Sequence, residues 1–436
     1  MLVSNLIGII ADDLTGANDT ALQFHLKGCN TQILLDIEYK ETKTSYTQAW
    51  AIAVDSRNSD PDLALKKTTI ATKNLKNNFN VEYFYKKIDS TLRGNIAQEV
   101  MAMLEVLNVD AAVIAPAFPN EGRITIGGYH LLKGVPIERT ELARDPYSPI
   151  YESYIPTILK NQLPSEQESL IGLVDFQTVL KGAGPILMKL KELISNGKKL
   201  IVIDAASIVD LEQISLAIGK INHKILPCGS AGLAQALCNI WLPDMKNHHI
   251  NKKIPKLPKL IISGSSTDLT FTQIKKLEDE FDNIYSIALT VDDILNFCDQ
   301  EYLDSIKSRI KEHLSYGKNV IVHTSGIKCS ADQMNLINLD YELSKEKFSN
   351  IISDYLAILT KQIVSNLDLI LILIGGETSF KCCEAINSQE LQVVDQVTPT
   401  IPLCIDHKAQ WIVTKSGNLG NSNTLIEILR YFEKHE

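Results

Sequence analysis

Short apolar runs alternate with longer amphipathic stretches along almost the whole chain, and this rhythm constrains the fold more than any other feature. Runs at 6–10, 32–35, 49–54, 81–85, 111–115 and 200–204 have strand length, as do 259–262, 283–288, 319–323, 368–374 and 411–413. Between them, 15–27, 62–77, 96–107, 267–280, 302–314 and 348–365 carry helical periodicity. Strands alternating with helices specify an α/β fold with mainly parallel sheets flanked by helices. The rhythm breaks at 243–258, PDMKNHHINKKIPKLP, which has three prolines, four lysines and no periodicity. With 436 residues, the expected organisation is two domains, 1–242 and 259–436, joined by a linker at 243–258.

Composition narrows the class of function. The net charge is −9 with 22% charged residues, so a phosphate backbone would meet no general basic face and nucleic acid is excluded as the main partner. The longest apolar run, 369–374, is far below the roughly 20 residues of a spanning helix. The apolar start at 6–10 runs directly into Asp12 and Asp13, unlike a secretory leader. Eight cysteines without a CxxC pair read as reduced thiols. A cytoplasmic protein with no membrane partner is the expectation. His248 and His249 fall in the linker and read as solvated, and no metal ligands are assigned. Of the 43 basic residues only seven are Arg, and five of these (Arg57, Arg93, Arg123, Arg139, Arg144) lie between 57 and 144. Planar, bidentate capture of a carboxylate or phosphate is a need that Lys meets poorly.

Ligands of parallel sheets bind beyond the carboxyl ends of the strands. In the second half these ends are small and polar: Ser263, Gly264 and Ser265; then Gly375, Gly376, Glu377 and Thr378; then Lys415, Ser416 and Gly417. Glycines let backbone N–H groups approach an anion, and a following helix adds a favourable dipole, so three such turns on one edge suggest a nucleotide cradle. No GxxxxGK[ST] motif is present, and no GxGxxG follows a strand. In the first half the strand ends carry charge: Asp12 and Asp13, Arg57, then Lys86, Asp89, Ser90 and Arg93, then Arg123. Carboxylates accept hydrogen bonds from hydroxyls and the cations take an acidic group, which together describe a pocket for a small polyhydroxy acid. Plainer roles remain open: Asp13 and Asp89 as helix caps, Lys86 and Lys87 as solvated edge residues, Tyr129 and His130 as packing groups.

The motifs ADDLTGANDTA, KKIDSTLRGN, APAFPNEGR, GGYHLLKGVPIERTELARDP, CGSAGLA, SGSS, GGETS and TKSGNLG follow one another from about residue 7 to 420. In this order they resemble the four-carbon acid sugar kinase family. The resemblance implies a sugar-acid-binding N-terminal domain, an ATP-binding C-terminal domain, and phosphoryl transfer to the terminal hydroxyl of a four-carbon acid. KKIDSTLRGN is similar to the D-threonate and D-erythronate branch; the 3-oxo-tetronate branch shows a CSTFDSTPKGN-like stretch there. Carried over, the resemblance places Asp12, Asp13 and Asp89 on substrate hydroxyls, with one of them orienting or deprotonating the attacking group. Arg57, Arg93 and Arg123 become carboxylate ligands, Lys86 and Ser90 further substrate contacts, and 263–265, 375–378 and 415–417 the ATP site. Mg²⁺ would bridge phosphate oxygens, and two ligand sites on two domains imply closure over the substrates. The alternatives are a 3-oxo-tetronate 4-kinase, a kinase for another small hydroxy acid, and a non-catalytic sugar-acid sensor that binds nucleotide. Homo-oligomerisation is left open.

Overall fold

The apolar runs form strands that are buried along nearly their whole length. In the computed structural model, residues 6–40, 46–145, 148–243, 252–295, 300–325, 327, 344–365 and 367–435 are described. The chain divides into two compact units, Met1–His248 and His249–Glu436.

The strands of the first unit are β1 (Ile7–Ala11), β2 (Thr31–Leu34), β3 (Ala49–Ala53), β4 (Tyr83–Lys87), β5 (Ala111–Ala115), β6 (Arg123–Ile126), β7 (Tyr129–Leu132), β8 (Val135–Pro136), β9 (Ile171–Val174), β10 (Leu200–Ile203) and β11 (Ile225–Gly229). Eight of them make a parallel sheet in the order β2-β3-β1-β4-β11-β5-β10-β9. Parallel sheets need both faces covered; Ile10, Trp50, Ile52, Ile114 and Val202 meet Leu75, Val100 and Met103 of the helices Pro61–Asn78 and Ile96–Leu107 in one core. Register matters most for function. Ala11 lies beside Ala53 and Lys87, and Gly229 beside Lys87 and Ala115, so the carboxyl ends of five strands open along one edge. β6, β7 and β8 form a small antiparallel sheet.

The second unit contains β12 (Lys259–Ser263), β13 (Ile284–Ala288), β14 (Asn319–His323), β15 (Ile370–Ile374), β16 (Glu390–Thr398), β17 (Ile401–Asp406) and β18 (Trp411–Lys415). Their order is β13-β14-β12-β15-β18-β17-β16; the first five are parallel and the last two run antiparallel. Ile261, Ile321, Ile372 and Val413 pack with Leu429 and Phe432 of the helix Thr424–His435. Ser263, Ile374 and Lys415 are neighbours in register, again at the carboxyl edge.

The α/β class with mainly parallel sheets flanked by helices is as expected. Two strands differ from expectation in a way that matters. β4 starts and ends two residues late, which puts Lys86 and Lys87 inside a central strand and not on a solvated edge. β18 likewise extends to Lys415. Six cysteines are buried free thiols; Cys298 and Cys329 lie outside the described residues, as do His248, His249 and half of the expected linker. Among the described residues, no helix is long and apolar enough to cross a membrane.

Candidate active site

Asp12 and Asp13 follow β1 directly. Asp13 caps the helix Leu14–Leu26: its Oδ1 accepts the Gly16 N–H at 2.7 Å and its Oδ2 accepts the Thr15 hydroxyl at 2.7 Å. The capping role is therefore real, and it leaves Asp13 free to do more. Beyond β3, the N–H groups of Ser56 and Arg57 donate to the Asp12 carbonyl, which locks the two strand ends together. Arg57 then sends Nε to Asp12 Oδ2 and Nη1 to Asp13 Oδ2, both at 2.7 Å, with Nη2 3.9 Å from Asp89. Beyond β4, Asp89 Oδ2 accepts from Thr91 Oγ1 at 2.5 Å and from Arg93 Nε at 2.6 Å, and Arg93 Nη1 reaches Asp145 at 2.8 Å. The structure thus brings Asp12, Asp13, Arg57, Asp89 and Arg93 into one buried cluster.

Burial alone would raise both Asp12 and Asp89. For Asp89, Arg93 and then Arg57 outweigh it and hold the carboxyl well below its ordinary value; for Asp12, Arg57 and then Lys86 outweigh it and lower the carboxyl. Both are firmly ionised at neutral pH. Arg123 stands at the flank: its direct ion pair is with Glu121 at 3.5 Å, while it feels the charges of Asp89 and Arg93. Ser90 is half-buried, and its carbonyl accepts from His130 Nε2 at 2.8 Å. His130 is fully buried, with Thr125 Oγ1 on its other nitrogen at 2.9 Å, and burial pushes it down to about 4. It is a neutral packing histidine with both tips satisfied; Tyr129 is half-exposed.

Lys86 does not line the site. It is fully buried, with its ammonium 2.6 Å from Glu99 Oε2, and Glu99 Oε1 accepts the Ser56 hydroxyl at 2.8 Å. This pair ties β4 to the residue before Arg57 and forms the floor of the cluster. Burial raises the Glu99 carboxyl, with Lys86 opposing.

In the second unit the three small-residue turns converge. The helix Gly376–Ala385 begins directly after β15; Gly375 at its N-cap (φ 110°) supplies no side-chain cap, so its first N–H groups and dipole are available to an anion. Ser265 Oγ lies 3.0 Å from Thr270 Oγ1, which donates to the Gly417 carbonyl at 3.0 Å. A Cβ on Gly264 would overlap Thr378 Oγ1, and one on Gly417 would overlap Ser265 Oγ. The Ser263 hydroxyl is buried with no hydrogen-bond partner among the described residues. Lys415 is fully buried and donates to the Ser416 carbonyl at 2.9 Å. Glu377 faces Lys381 at 3.6 Å, one turn along the helix.

Family models match this chain twice: a sugar-binding N-terminal domain over residues 7–237 and a nucleotide-binding C-terminal domain over 260–425. A D-erythronate kinase of Heliobacterium modesticaldum is 30% identical, across 98% of this chain and 97% of its own. A D-threonate kinase of Salmonella typhimurium is also 30% identical, across 98% of both. The chain belongs to the four-carbon acid sugar kinase family. A 3-oxo-tetronate kinase of Brucella melitensis is 25% identical, over 97% of this chain and 94% of its own. The fold recurs in a crystal structure of a Salmonella typhimurium protein described as a tRNA synthase, with TM-score 0.80 and 22% identity over 99% of each chain.

In this acid sugar kinase Glu99, which follows no strand end, ties Lys86 to Ser56 beneath the cluster. Glu99 sits in the stripe Ile96, Val100, Met103, Leu104 of its helix, and an acid in an apolar stripe is the signal that could have found it. Lys86→Met strands that carboxylate in the core, so the first unit is expected to lose about 3 kcal/mol. Lys86→Met/Glu99→Leu, which removes both charges, should regain most of it. Urea titrations of the two variants check this; equal losses would show that the Glu99 carboxylate left without Lys86 costs nothing.

Proposed function

We propose that this kinase phosphorylates the terminal hydroxyl of D-threonate or D-erythronate with ATP. The observation that carries the reading is the Asp12–Arg57–Asp89–Arg93 cluster, which offers ionised carboxylates for hydroxyls and two planar cations for an acid at one strand edge. The 30% identity to a D-erythronate kinase and a D-threonate kinase, against 25% for a 3-oxo-tetronate kinase, supports the same branch. In this reading Arg57 and Arg93 share their guanidinium groups with the substrate carboxylate, Arg123 adds positive potential from the flank, and Ser90 contributes a hydroxyl. Asp12, Asp13 and Asp89 hold the substrate hydroxyls. The depressed Asp89 carboxyl is a weak proton acceptor, which suits orientation of the attacking hydroxyl, and a loose phosphoryl-transfer transition state demands mainly alignment. In the second unit, Ser263 to Ser265, the start of the helix Gly376–Ala385 and the Lys415–Gly417 turn would hold the nucleotide phosphates. Mg²⁺ arriving with the nucleotide would supply positive charge against its phosphates.

ADP release across D-threonate, D-erythronate and 3-oxo-tetronate tests the reading. One of the first two is expected to exceed the oxo acid in kcat/KM by about tenfold or more, because a site built for a hydroxyl leaves polar groups unpaired when the hydroxyl is missing. Preference for 3-oxo-tetronate would move the chain to the other branch. Binding without ADP release would make it a sensor.

A further inference from the structure

Lys87 closes β4 beside Ala11 and Gly229, and it is 3% exposed. Its ammonium donates to the Ile88 carbonyl at 3.0 Å and lies 3.8 Å from Asp19 Oδ1. Asp19 belongs to the helix that Asp13 caps, and its Oδ1 also accepts the Thr20 hydroxyl at 2.9 Å. Gly16 lies between these groups. A Cβ there would be 2.6 Å from Asp13 Oδ1 and 2.7 Å from Lys87 Nζ, so only glycine lets the ammonium come this close to the capping turn. Lys87 therefore reaches from the strand that leads to Asp89 across to the helix turn that carries Asp13.

The geometry points to Lys87 and Asp19 as a positioning pair of the acid site, a strut that fixes Asp13 relative to Asp89 and works only while Asp19 is ionised. The inference rests on the proposed location of the acid site at these strand ends. The groups facing Asp19 are Lys87 and Tyr85 from β4, Asp12 and Asp13 from the end of β1, and Arg123 from β6. The helix Ala231–Trp241 that packs on its own helix brings no Asp, Glu, Lys, Arg or His. Burial dominates over Lys87 and pushes the Asp19 carboxyl up to about 6. Asp19 is ionised above that pH, and the strut is lost as pH falls through it.

Steady-state kinetics of the full chain between pH 5 and 8 test this. The wild type is expected to lose kcat/KM for the sugar acid below about pH 6. Asp19→Asn should be about tenfold slower at pH 8, keep its KM for nucleotide, and lack that acid limb. Titration of the nucleotide phosphates is common to both enzymes, so the difference between the profiles isolates Asp19. A merely structural aspartate would lower activity without changing the shape of the profile. If Asp19→Asn fails to fold, Thr20→Val removes a hydrogen bond to the ionised carboxylate and should move the limb to higher pH. An acid limb unchanged in Asp19→Asn, or unmoved in Thr20→Val when that is the variant in hand, overturns the inference. Full activity in Arg57→Ala would instead displace the acid site itself.

Discussion

Arg57→Ala is expected to lower kcat/KM for the sugar acid about a thousandfold, the scale of losing a preorganised charged donor. Arg57 bridges two carboxylates that leave β1 in succession, and its third nitrogen faces the carboxylate that follows β4. Without it, Asp12, Asp13 and Asp89 repel one another in a buried space, and a substrate carboxylate would add to the repulsion. Arg57→Lys keeps the charge but replaces the planar fork, whose three nitrogens face three carboxylates, with one compact ammonium, so it should restore part of the stability and little of the activity. Turnover within about threefold of wild type in Arg57→Ala would remove the cluster from the reaction.

The same variant has a signed stability signature. Asp12 and Asp89 are held below their ordinary values in the folded chain. The stability they contribute is therefore present above the unfolded carboxylate value of about 3.9 and is lost as pH falls through the lower folded values. Removing Arg57 leaves burial less opposed and raises Asp12, so the aspartates now cost stability at neutral pH and recover it on protonation. The gap in melting temperature between wild type and Arg57→Ala should be widest near pH 7 and narrow toward pH 4. A gap constant with pH would mean that Arg57 stabilises by packing and not by charge.

Parts of this structure were legible because one physical signal dominated locally. β5 and β14 are apolar runs between turn residues, and their ends agree with the sequence pattern residue for residue. β4 was displaced because two lysines in a central strand contradict the apolar rule; the compensating carboxylate, Glu99, is 13 residues away and invisible to a local pattern. β11 carries no clear strand signal because Pro227 argues against a central strand. It is tolerated because the ladder to β4 begins only at Cys228, past the proline. β16 and β17 run antiparallel and mix polar with apolar residues, so the parallel-strand signature did not apply. At the site, Asp12, Asp13, Arg57, Asp89 and Arg93 were readable because they follow strand ends. Asp19 was not: it is the one residue from Leu14 to His25 that is only half-buried, and no local pattern marks its pairing with Lys87 on β4.

Gly264→Ala should weaken nucleotide binding by roughly 100-fold, near the upper end of the 1–3 kcal/mol that overpacking costs. The added methyl would overlap Thr378 Oγ1 and press on Leu356 Cδ1 at 3.2 Å. Thr378 lies in the first turn of the helix Gly376–Ala385, so the clash is relieved by pushing away the helix start that would meet the phosphates. Thr378 Cβ would remain 3.4 Å from the new methyl, an ordinary contact, once the hydroxyl is gone. Gly264→Ala/Thr378→Ala should therefore bind nucleotide no worse than Thr378→Ala alone, a coupling that a double-mutant cycle reads directly. Calorimetry with ATP and with the sugar acid separates the outcomes. The acid affinity is expected to stay at its wild-type value in all three variants. A matching loss of acid affinity, or wild-type nucleotide affinity in Gly264→Ala, would mean that the close approach of these two turns does not build the phosphate site.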